Sequence, residues 1–230
     1  MNILAIQNCG VEGFGRYSEF LLDRHVNLLL VRAYAGEALP PLDTVDAVLV
    51  GGMPIAAYDI RKPDFLRKEI AYLGGAVFAG TPCLGICFGA QILAQILGAQ
   101  VRKAERMEIG CCEVRTTDAG AGEPLLRGFP EQFPVFQWHG DTFAIPLGGD
   151  LLVEGDSCRN QMFRSGPVVG VQFHLESTSM DAAAWADTYA DELSQCGKVK
   201  EKVVAECSTR EREMGALASI LMDNFLEDVT

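Results

Sequence analysis

Basic residues are scarce in this chain: 19 Lys and Arg stand against 31 Asp and Glu, a formal net charge of −12. A surface of that sign repels phosphate backbones and anionic headgroups, which argues against nucleic acid or a membrane surface as a partner. Long hydrophobic runs are missing as well, since no stretch approaches the roughly 18 apolar residues that a spanning helix needs. The apolar start from Met1 to Ile6 lacks a basic leader and a small-residue cleavage site, and Asn8, Glu12 and Arg16 follow closely. It reads as a first buried strand of a cytoplasmic protein. Nucleotide-binding patterns are absent too. The loop from Gly10 to Gly15 has the spacing G-x-x-G-x-G, and a G-x-G-x-x-G register from Gly13 fails at Ser18. The only Gly-Lys pair, Gly197 and Lys198, is followed by Val199, so there is no phosphate-binding G-x-x-x-x-G-K-[ST] loop. The glycine-rich loop therefore reads as a plain connection.

Eight cysteines are present, but irregularly placed, in a chain long enough to fold without staples. They read as reduced thiols. Cys111 and Cys112 are adjacent, so on a strand they face opposite sides, and no metal site is expected. What the chain does hold is apolar material: 49% of its 230 residues are hydrophobic, enough for one sizeable core. Residues 1–230 read as a single domain.

Short apolar runs alternate with helical stretches through the first hundred residues, as in a series of βαβ units. Strands are predicted at Asn2 to Gln7, Val26 to Val31, Val45 to Val50 and Pro82 to Ile86, with helices at about Arg16 to Arg24, Pro63 to Leu73 and Phe88 to Leu97. After Met107 come shorter β-like runs: Glu108 to Thr116, Phe133 to Gln137, Leu151 to Glu154, Gln161 to Arg164 and Val168 to Phe173. These suggest antiparallel additions. The tail, about residues 179–230, is helical in pattern, with Met180 to Gln195 and a closing amphipathic helix from about Thr209 to Leu226. The predicted fold is α/β: three layers, with an open, mostly parallel sheet and helices on both faces.

Three segments could carry chemistry. In PCLGICFGAQ, Gly85, Cys87 and Gly89 form a G-x-C-x-G core between a strand and a helix, the pattern of a nucleophile elbow. Small flanking residues permit the sharp turn that exposes the central side chain, and a helix N-terminus favours the reactive thiolate. In VVGVQFHLES, His174 and Glu176 lie two apart at the end of an apolar run, so on a strand they project to one side. A carboxylate there can hold an imidazole's tautomer while the other ring nitrogen takes a proton from a nucleophile. Histidine is scarce, with three in the chain, which gives this one weight. The third segment is the pair Gly51 and Gly52 after the third strand, on the sheet edge where the elbow should also lie. A glycine N–H there can serve an oxyanion together with the N–H of Phe88.

Together, GICFGAQ, QFHLES, VGGMP and QWHGDTF resemble the class I, triad-type glutamine amidotransferases, a flavodoxin-like α/β family. The similarity is greatest to stand-alone members akin to the glutaminase domain of GMP synthase. The resemblance implies a Cys87, His174, Glu176 triad that hydrolyses the glutamine side-chain amide through a γ-glutamyl thioester and releases ammonia. It implies an oxyanion hole from the N–H groups of Gly52 and Phe88, and substrate contacts from Gln91, Gly51 and the segment containing His139. No cofactor or metal is implied. Glutamine is the implied substrate, and a separate ATP-dependent synthetase or ligase would receive the ammonia. The family usually has proline between the histidine and the glutamate, where this chain has Leu175, so its backbone is less constrained there. Two other readings stay open: a γ-glutamyl peptidase using the same triad, and a non-catalytic regulatory subunit.

Overall fold

A computed structural model of the chain describes residues 1–59 and 63–229. Its first half winds as β1 (Asn2–Gln7), α1 (Gly15–Asp23), β2 (Asn27–Arg32), β3 (Ala47–Val50), α2 (Asp64–Ala79), β4 (Cys83–Ile86) and α3 (Phe88–Ile96). There follow β5 (Val101–Thr116), the single turn α4 (Asp118–Ala121), β6 (Gln132–Phe143), β7 (Asp150–Gly155), β8 (Asn160–Ser165) and β9 (Val168–Val171). Three helices close the chain: α5 (Ser179–Thr188), α6 (Ala190–Gln195) and α7 (Lys200–Val229). Among the described residues the strands form one sheet of nine, in the order β2-β1-β3-β4-β9-β8-β7-β5-β6. The pairs from β2 through β4 to β9 are parallel. From β9 outward the pairs are antiparallel, as the turn-rich second half predicts.

The layering follows from the pleat. Successive side chains on a strand point to opposite faces, so a strand buried on both faces must be apolar throughout. Ile3, Ala5, Ala47, Leu49, Leu84 and Ile86 pack on the face covered by α1, α5 and α7, where Tyr17, Trp185, Met214 and Phe225 meet them. Leu4, Ile6, Val48, Val50 and Cys83 pack on the other face, against Leu66 and Leu73 of α2 and Phe88 and Leu93 of α3. The sheet is thus filled from both sides, in three layers.

Several elements differ from their predicted extents, among them β5, which starts at Val101 and not at Glu108. α2 runs past Leu73 through Gly74 and Gly75 to Ala79 and stops at Gly80, whose φ of 75° is left-handed. Burial of Ala76 outweighs a glycine cost of about 1 kcal/mol per residue. α7 begins at Lys200, nine residues before the predicted Thr209, because Val203 and Cys207 extend its buried stripe while Lys200, Glu201 and Lys202 stay outside it. The Met214 to Leu226 stripe is a core face, as expected. The predicted helix from Met180 to Gln195 breaks at Tyr189 into α5 and α6. β6 continues beyond Gln137 to Phe143 and so carries His139 and Asp141 in the sheet.

One carboxyl lies in the core outside the candidate site. Glu69 of α2 is fully buried and takes one hydrogen bond, from Asn8 Nδ2 at 3.0 Å. Burial pushes its carboxyl up to about 7, the Asn8 bond working against that rise. The folded state therefore keeps a proton that the unfolded chain releases near 4.5, and stability falls as pH rises from about 4.5 to about 7. The shift corresponds to about 3 kcal/mol. Glu69→Gln should remove most of that slope, so urea unfolding at pH 5 and pH 8 should show the variant gaining on the wild type at the higher pH.

Candidate functional site

A sharp, strained backbone turn sits between β4 and α3. Cys87 has φ 52° and ψ −109°, a left-handed conformation that costs a non-glycine residue about 1–3 kcal/mol. It is held by its N–H donating to Val171 O at 2.7 Å and its carbonyl accepting from Gln91 N at 3.1 Å. The glycines beside it permit close approach. A Cβ on Gly89 would overlap the Val50 carbonyl oxygen, and one on Gly85 would lie 2.5 Å from the backbone of Gly89. Helix and strands meet there with no room for a methyl group. Gly89→Ala should cost at least about 1–3 kcal/mol in a denaturant melt, because the clashing atoms are backbone and cannot rotate away.

His174 and Glu176 reach the elbow by a route other than the one predicted. β9 ends at Val171, so the two do not share a strand. His174 is instead clamped by a lone antiparallel bridge to Phe136, with hydrogen bonds of 2.8 and 3.1 Å. The two side chains still converge, with His174 Nδ1 lying 2.5 Å from Glu176 Oε1, both fully buried. Burial opposes charge on the imidazole. The Glu176 carboxylate and hydrogen bonds to Cys87 and Glu176 overcome it, and His174 is held well above the usual histidine range. The Trp185 ring packs edge-on at 4.8 Å from the imidazole. Leu175, where a proline would stiffen the backbone, is fully buried in the core beneath the α1 and α5 layer, so packing does the restraining.

The thiol faces a cavity of about 670 Å³ that Phe88, Gln91, His139 and Asp141 also line. Gln172 donates from Nε2 to Cys87 Sγ at 3.6 Å and accepts from Gln91 Nε2 at 3.3 Å. Gln91 also donates to Asp141 O at 3.3 Å. Gln172 was not among the predicted residues, although its position two before His174 is the same signal that singled out Glu176. Gly51 is buried and committed to the fold, its N–H to Ile6 O at 3.0 Å and its carbonyl to Asn8 Nδ2 at 3.4 Å. The His139 ring turns toward the sheet, with Nδ1 donating to Asp141 O at 2.9 Å and Nε2 lying 3.0 Å from Glu108 Oε2.

The loop from Gly10 to Gly15 is more than a connection. Arg16 N–H bonds Glu176 O at 3.1 Å, and a Cβ on Gly15 would overlap that same oxygen. The loop carries Glu12 into the cavity, where its Oε2 lies against Gly52 and its Oε1 accepts from Tyr189 at 2.7 Å. Burial pushes the Glu12 carboxyl up, with the Tyr189 bond and the His174 charge pulling it down. Glu192 lines the same cavity and accepts from Trp138 Nε1 at 2.7 Å. No local spacing links Glu12 to Tyr189, 177 positions away, so pattern reading could not find the pair. All eight cysteines are free. No described helix is long and apolar enough to cross a membrane.

Comparison with known proteins gives a consistent placement. The family model "Glutamine amidotransferase class-I" matches residues 19–185. The glutamine amidotransferase-like protein YfeJ of Salmonella typhimurium is 35% identical over 172 residues, 73% of this chain and 72% of that protein. A glutamine-hydrolyzing GMP synthase of Thermomicrobium roseum is 32% identical over 60% of this chain, a match spanning only 24% of that enzyme. The crystal structure of a glutamine amidotransferase from Thermotoga maritima superposes with a TM-score of 0.90 at 29% identity, covering 99% of this chain and 98% of that one. The chain belongs to the class I glutamine amidotransferase family, related to the glutaminase domain of GMP synthase.

Proposed function

We propose that residues 1–230 act as a single glutaminase domain that hydrolyses the side-chain amide of glutamine. One observation carries the reading: a strained cysteine at a strand-to-helix turn, close enough to a buried imidazole to favour its charged form, with that imidazole's Nδ1 lying 2.5 Å from a carboxylate. Cys87 Sγ attacks the amide carbon, and the tetrahedral oxyanion is met by the N–H groups of Gly52 and Phe88. His174 takes the thiol proton and passes it to the departing nitrogen, so ammonia leaves and a γ-glutamyl thioester remains. Water, relieved of a proton by His174, then releases glutamate. Glu176 keeps the ring oriented and stabilises its charged form. Gln91 and the backbone beside His139 line the space for the substrate. The relatives that hydrolyse glutamine in GMP synthase support a synthetase partner for the ammonia, and a Sulfolobus acidocaldarius relative is one subunit of such an enzyme.

The cavity volume supports a second reading, because about 670 Å³ accommodates more than an amino acid and its wall includes Lys103, Arg106 and Lys198. A γ-glutamyl peptide would extend that way, leaving as an amine in place of ammonia. Comparing kcat/KM for ammonia release from glutamine with that for amine release from γ-glutamyl dipeptides decides between them. The glutaminase reading predicts at least a tenfold preference for glutamine; the reverse preference overturns it.

A further inference from the structure

At the cavity wall, three side chains from two strands and a turn converge, and one of them keeps a buried polar atom with no hydrogen-bond partner. Glu108 of β5 and His139 of β6 are directly opposite each other in the sheet, and Cys158 comes from the turn between β7 and β8. Their ligand atoms all lie within 4.8 Å of one another. His139 and Cys158 are buried, and only 11% of the Glu108 side chain is exposed.

The protons locate the problem. Asp141 O can only accept, so His139 Nδ1 carries a hydrogen and, in the neutral ring, Nε2 is a bare lone pair. Nothing donates to that nitrogen, and it is fully buried. Glu108 Oε2, itself an acceptor, lies 3.0 Å from it, and the geometry between them is not that of a hydrogen bond. Two acceptors held together in a dry place call for a cation between them. The surroundings orient the other donors as a metal's outer sphere does: Gln161 Nε2 donates to Glu108 Oε2 at 3.1 Å, and Cys158 Sγ lies 3.1 Å from Thr142 Oγ1.

We propose that Glu108, His139 and Cys158 form a binding site for a thiophilic divalent ion of the zinc class, set in the wall of the cavity and not on the Cys87 thiol. One sulfur, one nitrogen and one oxygen suit zinc and its cobalt substitute, whereas magnesium and calcium prefer oxygen alone. Bond lengths of about 2.0–2.3 Å set tetrahedral donors about 3.3–3.6 Å apart, so Glu108 and His139, at 3.0 Å, open slightly and Cys158 closes by at most about 1 Å, with water in the fourth position. On binding, the Cys158 thiol loses its proton to solvent and its sulfur bonds the metal. The Thr142 hydroxyl, now the acceptor beside Cys158, turns to donate to the thiolate. The ion would tie β5, β6 and the β7–β8 turn together behind Gly140 and Asp141, which line the cavity.

The test is titration of the metal-free protein with Zn2+ alone, followed by Co2+ to read the coordination by absorption. Wild type and Cys87→Ala should each bind one equivalent, with a thiolate-to-cobalt charge-transfer band and tetrahedral d–d bands. Saturating zinc should raise Tm by about 5–10 °C. Cys158→Ser and the near-isosteric Glu108→Gln should each weaken binding at least about 100-fold and abolish that rise, while circular dichroism shows them folded. Should Cys158→Ser fail to fold, Glu108→Gln decides alone. No binding by the wild type, binding that survives in Glu108→Gln, or binding lost in Cys87→Ala would each overturn the proposal, the last by placing the metal on the elbow thiol.

Discussion

Cys87→Ala should lower the turnover of glutamine by about 10⁴- to 10⁶-fold while leaving its binding within a few-fold. The size of the effect follows from the division of labour at the elbow. With the sulfur gone, no thioester forms, and the imidazole can only activate water placed for the second half of the reaction. What survives is the cavity, with Gln91 and Gln172 in place. Alanine removes one sulfur from a site where Cys87 is 8% exposed, so folding is little disturbed. Ammonia release in single-turnover assays, with glutamine binding followed by calorimetry, checks both halves. Residual turnover within a hundredfold of wild type would mean that the chemistry does not run through this thiol.

Glu176→Gln should cost about 10³- to 10⁴-fold in kcat with little change in KM, an effect carried entirely by His174. The imidazole is buried, which works against its charged form; the carboxylate at 2.5 Å, with Cys87 adding to it, outweighs that penalty. An amide of the same shape keeps the contact but not the charge, and it can present a donor where an acceptor is required. His174 then loses its hold on a proton, so the alkaline limb of the kcat/KM profile should move to lower pH. A uniform fall in rate with an unshifted profile would assign Glu176 a packing role. Because the substitution is nearly isosteric, denaturant unfolding should separate loss of chemistry from loss of fold.

Much of this arrangement was legible in the residues, for physical reasons. A parallel strand covered on both faces has to be apolar throughout, and the runs in β1, β3 and β4 are, which is why the left half of the sheet could be read. The elbow announced itself because a sharp turn needs glycines at fixed offsets, and Gly85 and Gly89 are where no Cβ fits. Long-range features were not legible. The bridge from His174 to Phe136 replaced the expected continuation of the strand beyond Val171, and β6 ran on through a polar segment because its partner β5 pairs with it as far as Val101. Glu12 lay hidden in a loop that looked like a plain connection, and its partner Tyr189 in what read as an unbroken helix. Glu108, His139 and Cys158 come together only once the strands are paired. Spacing along one strand or helix can be read from a sequence; meetings between elements depend on register, which short motifs do not encode.

Everything proposed for the site turns on Cys87 being an activated thiol in a glutamine-shaped pocket, and one labelling experiment meets that point without any synthetase partner. The protein is incubated with a diazo-ketone analogue of glutamine, and the site of modification is located by intact-mass and peptide mass spectrometry. The prediction is a single adduct on Cys87, suppressed by glutamine, absent in Cys87→Ala and strongly slowed in Glu176→Gln. No adduct, or labelling spread over several of the eight cysteines without protection by glutamine, would contradict it.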